Sequence, residues 1–187
     1  MHPCRAVRHH HAQLLSEGPL TAAVYPGSFD PVHRGHLDVI ERARAIFDRV
    51  VVGVLENPAK AYLFSSEERV ELLRRSLPAG SDVPVRCFSG LAVRFAASEG
   101  ASVIVRGLRQ TSDLDSEFQM ALMNRRLEPS VHTVFLTTAF ANVYLSSSLL
   151  KEVVQLGGAV EEMVTPAVAT ALRARLRAPA APASTPG

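Results

Sequence analysis

Val24-Tyr25-Pro26-Gly27-Ser28-Phe29-Asp30-Pro31-Val32-His33-Arg34-Gly35-His36 runs without a break into Leu37-Asp38-Val39-Ile40-Glu41-Arg42-Ala43-Arg44-Ala45-Ile46-Phe47. An apolar run ends in a Pro/Gly turn, and two histidines three apart then stand where a helix begins. A helix start carries unpartnered N–H groups and a partial positive charge, so it favours anions. Gly27 and Gly35 remove side chains where a ligand must come close, while Pro26 and Pro31 stiffen the turn around Phe29. Residues three apart share a helix face, so the spacing predicts that His33 and His36 offer two imidazoles to one group. The stretch reads as a phosphate site.

The alternation around it decides the fold class. Residues 20–25 read as a first strand, and the helix after His36 is expected to bury Leu37, Ile40, Ala43 and Phe47. The valine-rich run 50–55 reads as a buried parallel strand. Ser65-Ser66-Glu67-Glu68 supplies a capping box for a helix to about Leu77. Further strands are expected at 83–88, 102–105 and 131–136. Helices are expected at 91–98, stopped by Gly100, at 113–127, from Ser146-Ser147-Ser148 to Gly157-Gly158, and from Thr165-Pro166. Strand and helix in alternation imply an α/β, Rossmann-like, doubly wound five-stranded parallel sheet with helices on both faces. Ligands of such sheets sit beyond the carboxyl ends of the strands. Residues 1–19 and 178–187 read as disordered extensions flanking one domain at 20–177.

Composition narrows the class. The chain has 187 residues, 47% of them hydrophobic, and a formal net charge of +2, which suits one domain with a real core and gives nucleic acid no basic stripe. No apolar run is long enough to span a membrane. Cys4 and Cys87 form no disulfide framework, so a cytoplasmic protein is the simplest expectation. His9, His10 and His11 lie in the N-terminal extension. A zinc site at His33 and His36 lacks ligands, Asp30 and Asp38 being the only neighbouring candidates, so no metal is assigned to the chain.

Four further clusters fall at strand ends. Lys60 stands out because only it and Lys151 are lysines among 20 basic residues, which marks a place where a compact ammonium has kept out arginine. Arg106 and Arg109 straddle Gly107 and suit a phosphate clamp. Asp113 and Glu117 either complement their helix N-terminus or, for Glu117, accept from a ribose. Ser146 to Ser148 are a helix cap whose free N–H groups also make an anion nest.

These residues resemble the bacterial phosphopantetheine adenylyltransferases, a family of the nucleotidyltransferase superfamily with an H/T-x-G-H signature. The resemblance covers residues 22–176. It rests on Pro26-Gly27-Ser28-Phe29-Asp30-Pro31 with Gly35-His36, Asn57-Pro58-Ala59-Lys60, Arg106-Gly107-Leu108-Arg109, Met123-Asn124, and Ser146-Ser147-Ser148-Leu149 with Lys151-Glu152-Val153. It implies transfer of adenylyl from ATP to 4′-phosphopantetheine, giving dephospho-coenzyme A and pyrophosphate, by direct in-line attack with Mg²⁺ bound through ATP. It further implies a homohexamer and feedback by coenzyme A.

By that resemblance Ser28, His36, Lys60 and Arg106 are catalytic. Ser28, Phe29, His36, Arg106, Gly107, Arg109, Glu117, Ser146, Ser147 and Ser148 bind ATP. Ser28, Lys60, Leu91, Ala92, Arg106 and Asn124 bind the acceptor. Two positions depart from the family: His33 stands where threonine is usual, and Leu114 and Ser116 stand where aromatic residues are more common. The same site with nicotinamide mononucleotide or glycerol phosphate as acceptor, and a non-catalytic nucleotide-binding module, are the alternatives.

Overall fold

The computed structural model describes residues 21–109 and 111–176. The extensions expected at 1–19 and 178–187, Leu20, Arg177 and the side chain of Asp113 lie outside the described residues. Five strands, β1 (Ala22–Gly27), β2 (Arg49–Glu56), β3 (Val85–Ser89), β4 (Val103–Leu108) and β5 (His132–Thr137), form one sheet in the order β3-β2-β1-β4-β5. Every neighbouring pair is parallel. The helices are α1 (Arg34–Arg44), α2 (Ser66–Ser76), α3 (Ala92–Ser98), α4 (Thr111–Leu127), α5 (Ser147–Gln155) and α6 (Pro166–Leu176). This is the expected doubly wound fold.

Side-chain alternation builds two cores. In β1, Ala23 and Tyr25 face one way with Val50, Val52 and Val54 of β2 and Val103 and Val105 of β4. Val39 and Ile40 of α1, Leu73 of α2, Leu150 of α5 and Leu172 of α6 cover them. Ala22, Val24, Val51 and Ile104 face the other way, onto Val93, Phe95 and Ala96 of α3. A strand buried on both faces has no polar side to show, which is why β2 reads as an uninterrupted valine run.

Several boundaries differ from the sequence expectation. β1 runs to Gly27, and α1 begins at Arg34 with His33 as its N-cap, so His36 lies inside the first turn rather than before the helix. Val39 joins Ile40 and Ala43 in the core, whereas Leu37 and Phe47 only pack against its edge and Phe47 lies past the helix end. Arg106 and Gly107 belong to β4 itself, paired with Phe135 and Leu136, instead of following the strand. The capping box is as read: Glu68 N donates to Ser65 Oγ at 3.2 Å and Ser65 N to Glu68 Oε2 at 2.8 Å, a motif whose cap contributes about 1 kcal/mol. Gly100, at φ +64, takes the left-handed turn that follows α3.

Candidate active site

β1 and β4 are sheet neighbours although far apart in sequence, so the chain crosses over in opposite directions on either side of them. That is the switch point where an open parallel sheet leaves a crevice. A cavity of about 280 Å³ occupies it, walled by Tyr25 to Ser28 from the end of β1, His33 and His36 from the start of α1, Arg106 and Gly107 from β4, Arg109 just after it, Glu117, Thr138, and Ser146 to Ser148. Ser28, His36, Arg106, Arg109 and the triple serine are thus brought together as expected.

The two histidines are not equals. Their rings stack at 3.7 Å between centroids, and Phe29 sets its edge against His36 at 4.9 Å. A Cβ on Gly35 would lie 3.1 Å from the His33 ring, so glycine makes room for that stack. The backbone N–H of His33 donates to Nδ1 of His36 at 3.3 Å. An amide can only donate, so Nδ1 carries the lone pair and Nε2 the proton, the neutral donor tautomer. His33 is buried, and its own Nδ1 has no hydrogen-bond partner among the described residues.

Burial, reinforced by Arg109, pushes His33 down to about 3. Burial likewise holds His36 well below the ordinary histidine range, with His33, Arg109 and Arg106 adding to it. Although its ring borders the cavity, His36 is surrounded by cations and apolar rings, and both effects oppose a further positive charge. His36 therefore offers an N–H dipole to a ligand, and the guanidinium groups supply the charge.

Arg106 is held from two sides. Its Nε and Nη2 donate to the Glu117 carboxylate at 2.6 and 2.5 Å, and Nη1 donates to Pro26 O at 2.9 Å. Burial disfavours the Arg106 cation, yet the Glu117 carboxylate outweighs it and raises the guanidinium's pKa. A guanidinium has five N–H groups, so two remain for a ligand. Glu117, expected as a ribose acceptor, is committed to orienting Arg106. Gly107 lets Val39 approach, since a Cβ there would lie 3.0 Å from the valine methyl. Two guanidinium groups and one carboxylate line the cavity, and burial pushes the Tyr25 phenol up so that it stays neutral.

The triple serine divides its roles. Ser146 caps α5, accepting from Leu149 N at 3.1 Å, and Ser147 Oγ donates to Pro31 O at 2.8 Å. Arg109 Nη1 donates to Leu145 O at 2.9 Å, bracing the same loop from β4. The first amides of a helix have no partner inside it, and Ser147 and Ser148 bring theirs to the cavity wall. At α1 the helix start is less free than expected: Arg34 N donates to Met163 O at 3.0 Å and His36 N to His33 O at 2.9 Å.

The remaining expected residues stand apart. Phe29 is buried in the core, with φ 49, and shapes the cavity from behind. Lys60 is exposed and lines a second cavity with Asn57, Tyr62, Arg69 and Arg175. Leu91 caps α3 and is exposed, Ala92 packs on the smaller core, and Asn124 is buried on α4. None of the three lines either cavity.

Four further residues shape the site without being expected to. Arg69 is 1% exposed and its Nη1 donates to Ser28 O at 2.7 Å and Leu55 O at 2.9 Å, pinning the ends of β1 and β2. Its spacing from Leu72 and Leu73, three and four residues on, places it on the apolar face, which is the available signal. Asp38 accepts from Ala139 N at 2.6 Å and so fixes the turn after β5. Asp30, which is buried, pairs with the partly exposed Lys151 at 3.0 Å. The two carboxylates weighed as zinc ligands are thus both bound to protein donors.

Comparison with known proteins adds the chemistry. The cytidylyltransferase-like family model matches residues 24–153. The phosphopantetheine adenylyltransferase of Heliobacterium modesticaldum is 53% identical over 149 residues, which is 80% of this chain and 89% of that protein. A putative nicotinate-nucleotide adenylyltransferase from Vibrio parahaemolyticus shares the fold at 17% identity, with a TM-score of 0.57 over 82% of this chain and 99% of that one. The chain belongs to the cytidylyltransferase-like family and, within it, to the phosphopantetheine adenylyltransferases.

Proposed function

We propose that the cavity between β1 and β4 transfers adenylyl from ATP to 4′-phosphopantetheine, giving dephospho-coenzyme A and pyrophosphate. The observation that carries this reading is the meeting of Ser28, His36, Arg106, Arg109 and the triple serine in one crevice, in a chain 53% identical to a named enzyme of that activity.

An oxygen of the acceptor phosphate attacks the α-phosphorus of ATP, the bond to the bridging oxygen breaks, and pyrophosphate leaves with that electron pair. No enzyme nucleophile is needed; the protein aligns two anions and stabilises the charge that builds up between them. His36 Nε2–H and the two spare N–H groups of Arg106 point to that charge. Ser28, at the end of β1, stands between the two phosphates. Arg109 and the amides of Ser147 and Ser148 hold the triphosphate. Phe29, Gly107, Glu117 and Ser146 serve the ATP side by shaping the cavity and orienting its donors.

Lys60 approaches the acceptor phosphate from the neighbouring loop, and Leu91, Ala92 and Asn124 receive the pantetheine arm. Mg²⁺ is assigned to the triphosphate it arrives on, where it would supply charge that screens the leaving pyrophosphate. Among the described residues no group of three or more His, Cys, Asp or Glu side chains could hold a metal ion.

Coenzyme A, which contains the same arm as the product, is assigned as a competitor for this site. The homohexamer is assigned to α4, which exposes Leu114, Phe118, Met120, Leu122, Met123 and Leu127. Such a run is too apolar for a free surface. No helix among the described residues is long and apolar enough to cross a membrane, and the cytoplasm is the assigned compartment. The test is pyrophosphate release from ATP with 4′-phosphopantetheine, nicotinamide mononucleotide and glycerol phosphate in turn. Release with the first alone supports the reading; release with another alone, or ATP bound without turnover, overturns it.

A further inference from the structure

Asp30 is 4% exposed, and its carboxylate is held from two separate segments of chain. Oδ2 accepts from Leu63 N at 2.9 Å and from Lys151 Nζ at 3.0 Å, while Oδ1 accepts from Phe64 N at 3.0 Å. Leu63 and Phe64 end the loop between β2 and α2 that carries Lys60. Lys151 lies on α5, whose first turn carries Ser147 and Ser148. Asp30 itself follows Ser28 and Phe29 in the loop after β1. One buried carboxylate therefore ties the Lys60 loop and the start of α5 to the segment bearing Ser28.

The Asp30 carboxylate thus joins the loop after β1 to helix α5 and to the Lys60 loop, which it reaches at its α2 end. On the other side of that loop the chain is fixed locally, by Asn57 Oδ1 accepting from Ala59 N at 3.0 Å and Asn57 O from Lys60 N at 3.0 Å. Arg175 adds outer contacts, its Nη1 donating to Leu63 O at 3.0 Å and its guanidinium lying 5.4 Å from the centre of the Phe64 ring. With both ends set, the reach of Lys60 toward the cavity depends on where Asp30 holds Leu63 and Phe64. The second lysine of the chain thereby acquires a role beside the first.

We propose that Asp30 and Lys151 are positioning residues for adenylyl transfer: their ion pair, centred on the buried Asp30 carboxylate, sets the Lys60 loop against the ATP-phosphate wall. The proposal rests on the acceptor-side role of Lys60 given above. Asn at position 30 cannot replace Asp, because whichever way the amide is turned its NH₂ faces a donor, Phe64 N in one orientation and Lys151 with Leu63 N in the other. Removing the lysine leaves a buried carboxylate without its cation.

The test compares wild type, Asp30→Asn and Lys151→Met in two ways. Steady-state kinetics give KM for 4′-phosphopantetheine and for ATP separately, and amide hydrogen exchange reads Leu63 and Phe64 in the full-length protein. The expected result is a rise of about tenfold or more in acceptor KM, the loss of one charge-assisted contact, with ATP KM changed by less than about twofold and exchange at Leu63 and Phe64 accelerated. ATP is spared because Arg109 and Ser147 still hold the α5 loop. Equal changes in both KM values, or lower thermal stability with both KM values unchanged, overturns the proposal. So does unchanged exchange at the two amides. If Asp30→Asn does not fold, Lys151→Met, at a partly exposed side chain, decides alone. Absence of turnover in wild type sinks the activity reading, while the exchange result still judges the brace.

Discussion

Replacing His33 by asparagine should flatten the protein's loss of stability in mild acid. His33 is buried, stacked on His36 and without a partner at Nδ1, and its pKa is lowered to about 3 from an ordinary 6.5. Between those values the unfolded chain takes up a proton that the folded chain refuses, so stability falls as pH falls. The contribution is complete above the unfolded value and shrinks by up to about 1.4 kcal/mol per pH unit below it.

From about pH 7 to about pH 5, this one residue removes about 2 kcal/mol of stability. For a chain of this size that corresponds to a Tm shift of about 4–8 °C. His36, lowered by the same burial, acts in the same direction. Urea unfolding of wild type and His33→Asn at both pH values isolates the term together with the part of the His36 shift that His33 causes. The variant should lose about 2 kcal/mol less than wild type on acidification. Equal losses in the two proteins would refute a buried neutral His33.

Three other outcomes follow from the same geometry. His36→Ala removes one preorganised donor and should lower kcat by about 10² to 10³ with the fold intact; kinetics and circular dichroism check it, and near-normal turnover removes His36 from the mechanism. Arg69→Met leaves Ser28 O and Leu55 O without their buried donor, and although it also removes a buried charge, it should destabilise by about 3 kcal/mol in urea unfolding. A loss below about 1 kcal/mol would show that those carbonyls find other partners. Phe118→Glu with Leu122→Glu places charge on the exposed face of α4 and should turn a hexamer into smaller species in sedimentation; a wild-type monomer would contradict the assembly.

What was legible in the sequence is what depends on near neighbours. The valine run of β2, the Ser65 and Glu68 capping box, and the glycine after α3 each express a local rule, and each reappears in place. The strand-end clusters were legible because a parallel sheet sends all its carboxyl ends to one edge. Partnerships across the chain were not. Arg106 and Glu117, both marked for substrate, turn to each other across two elements. Asp30 meets Lys151 across 121 residues. The inequality of His33 and His36 was hidden for another reason: it arises from the depth at which the first turn of α1 sits, and depth is set by the whole fold.

Direct passage of adenylyl between two bound phosphates underlies every role assigned to the site, and stereochemistry at the transferred phosphorus measures it. ATP carrying one sulfur at the α-phosphorus in a single configuration is turned over with 4′-phosphopantetheine, and the configuration of the dephospho-coenzyme A product is determined. A single in-line displacement predicts inversion. Retention would mean two displacements through an adenylyl-enzyme and would contradict a site built only to align and neutralise.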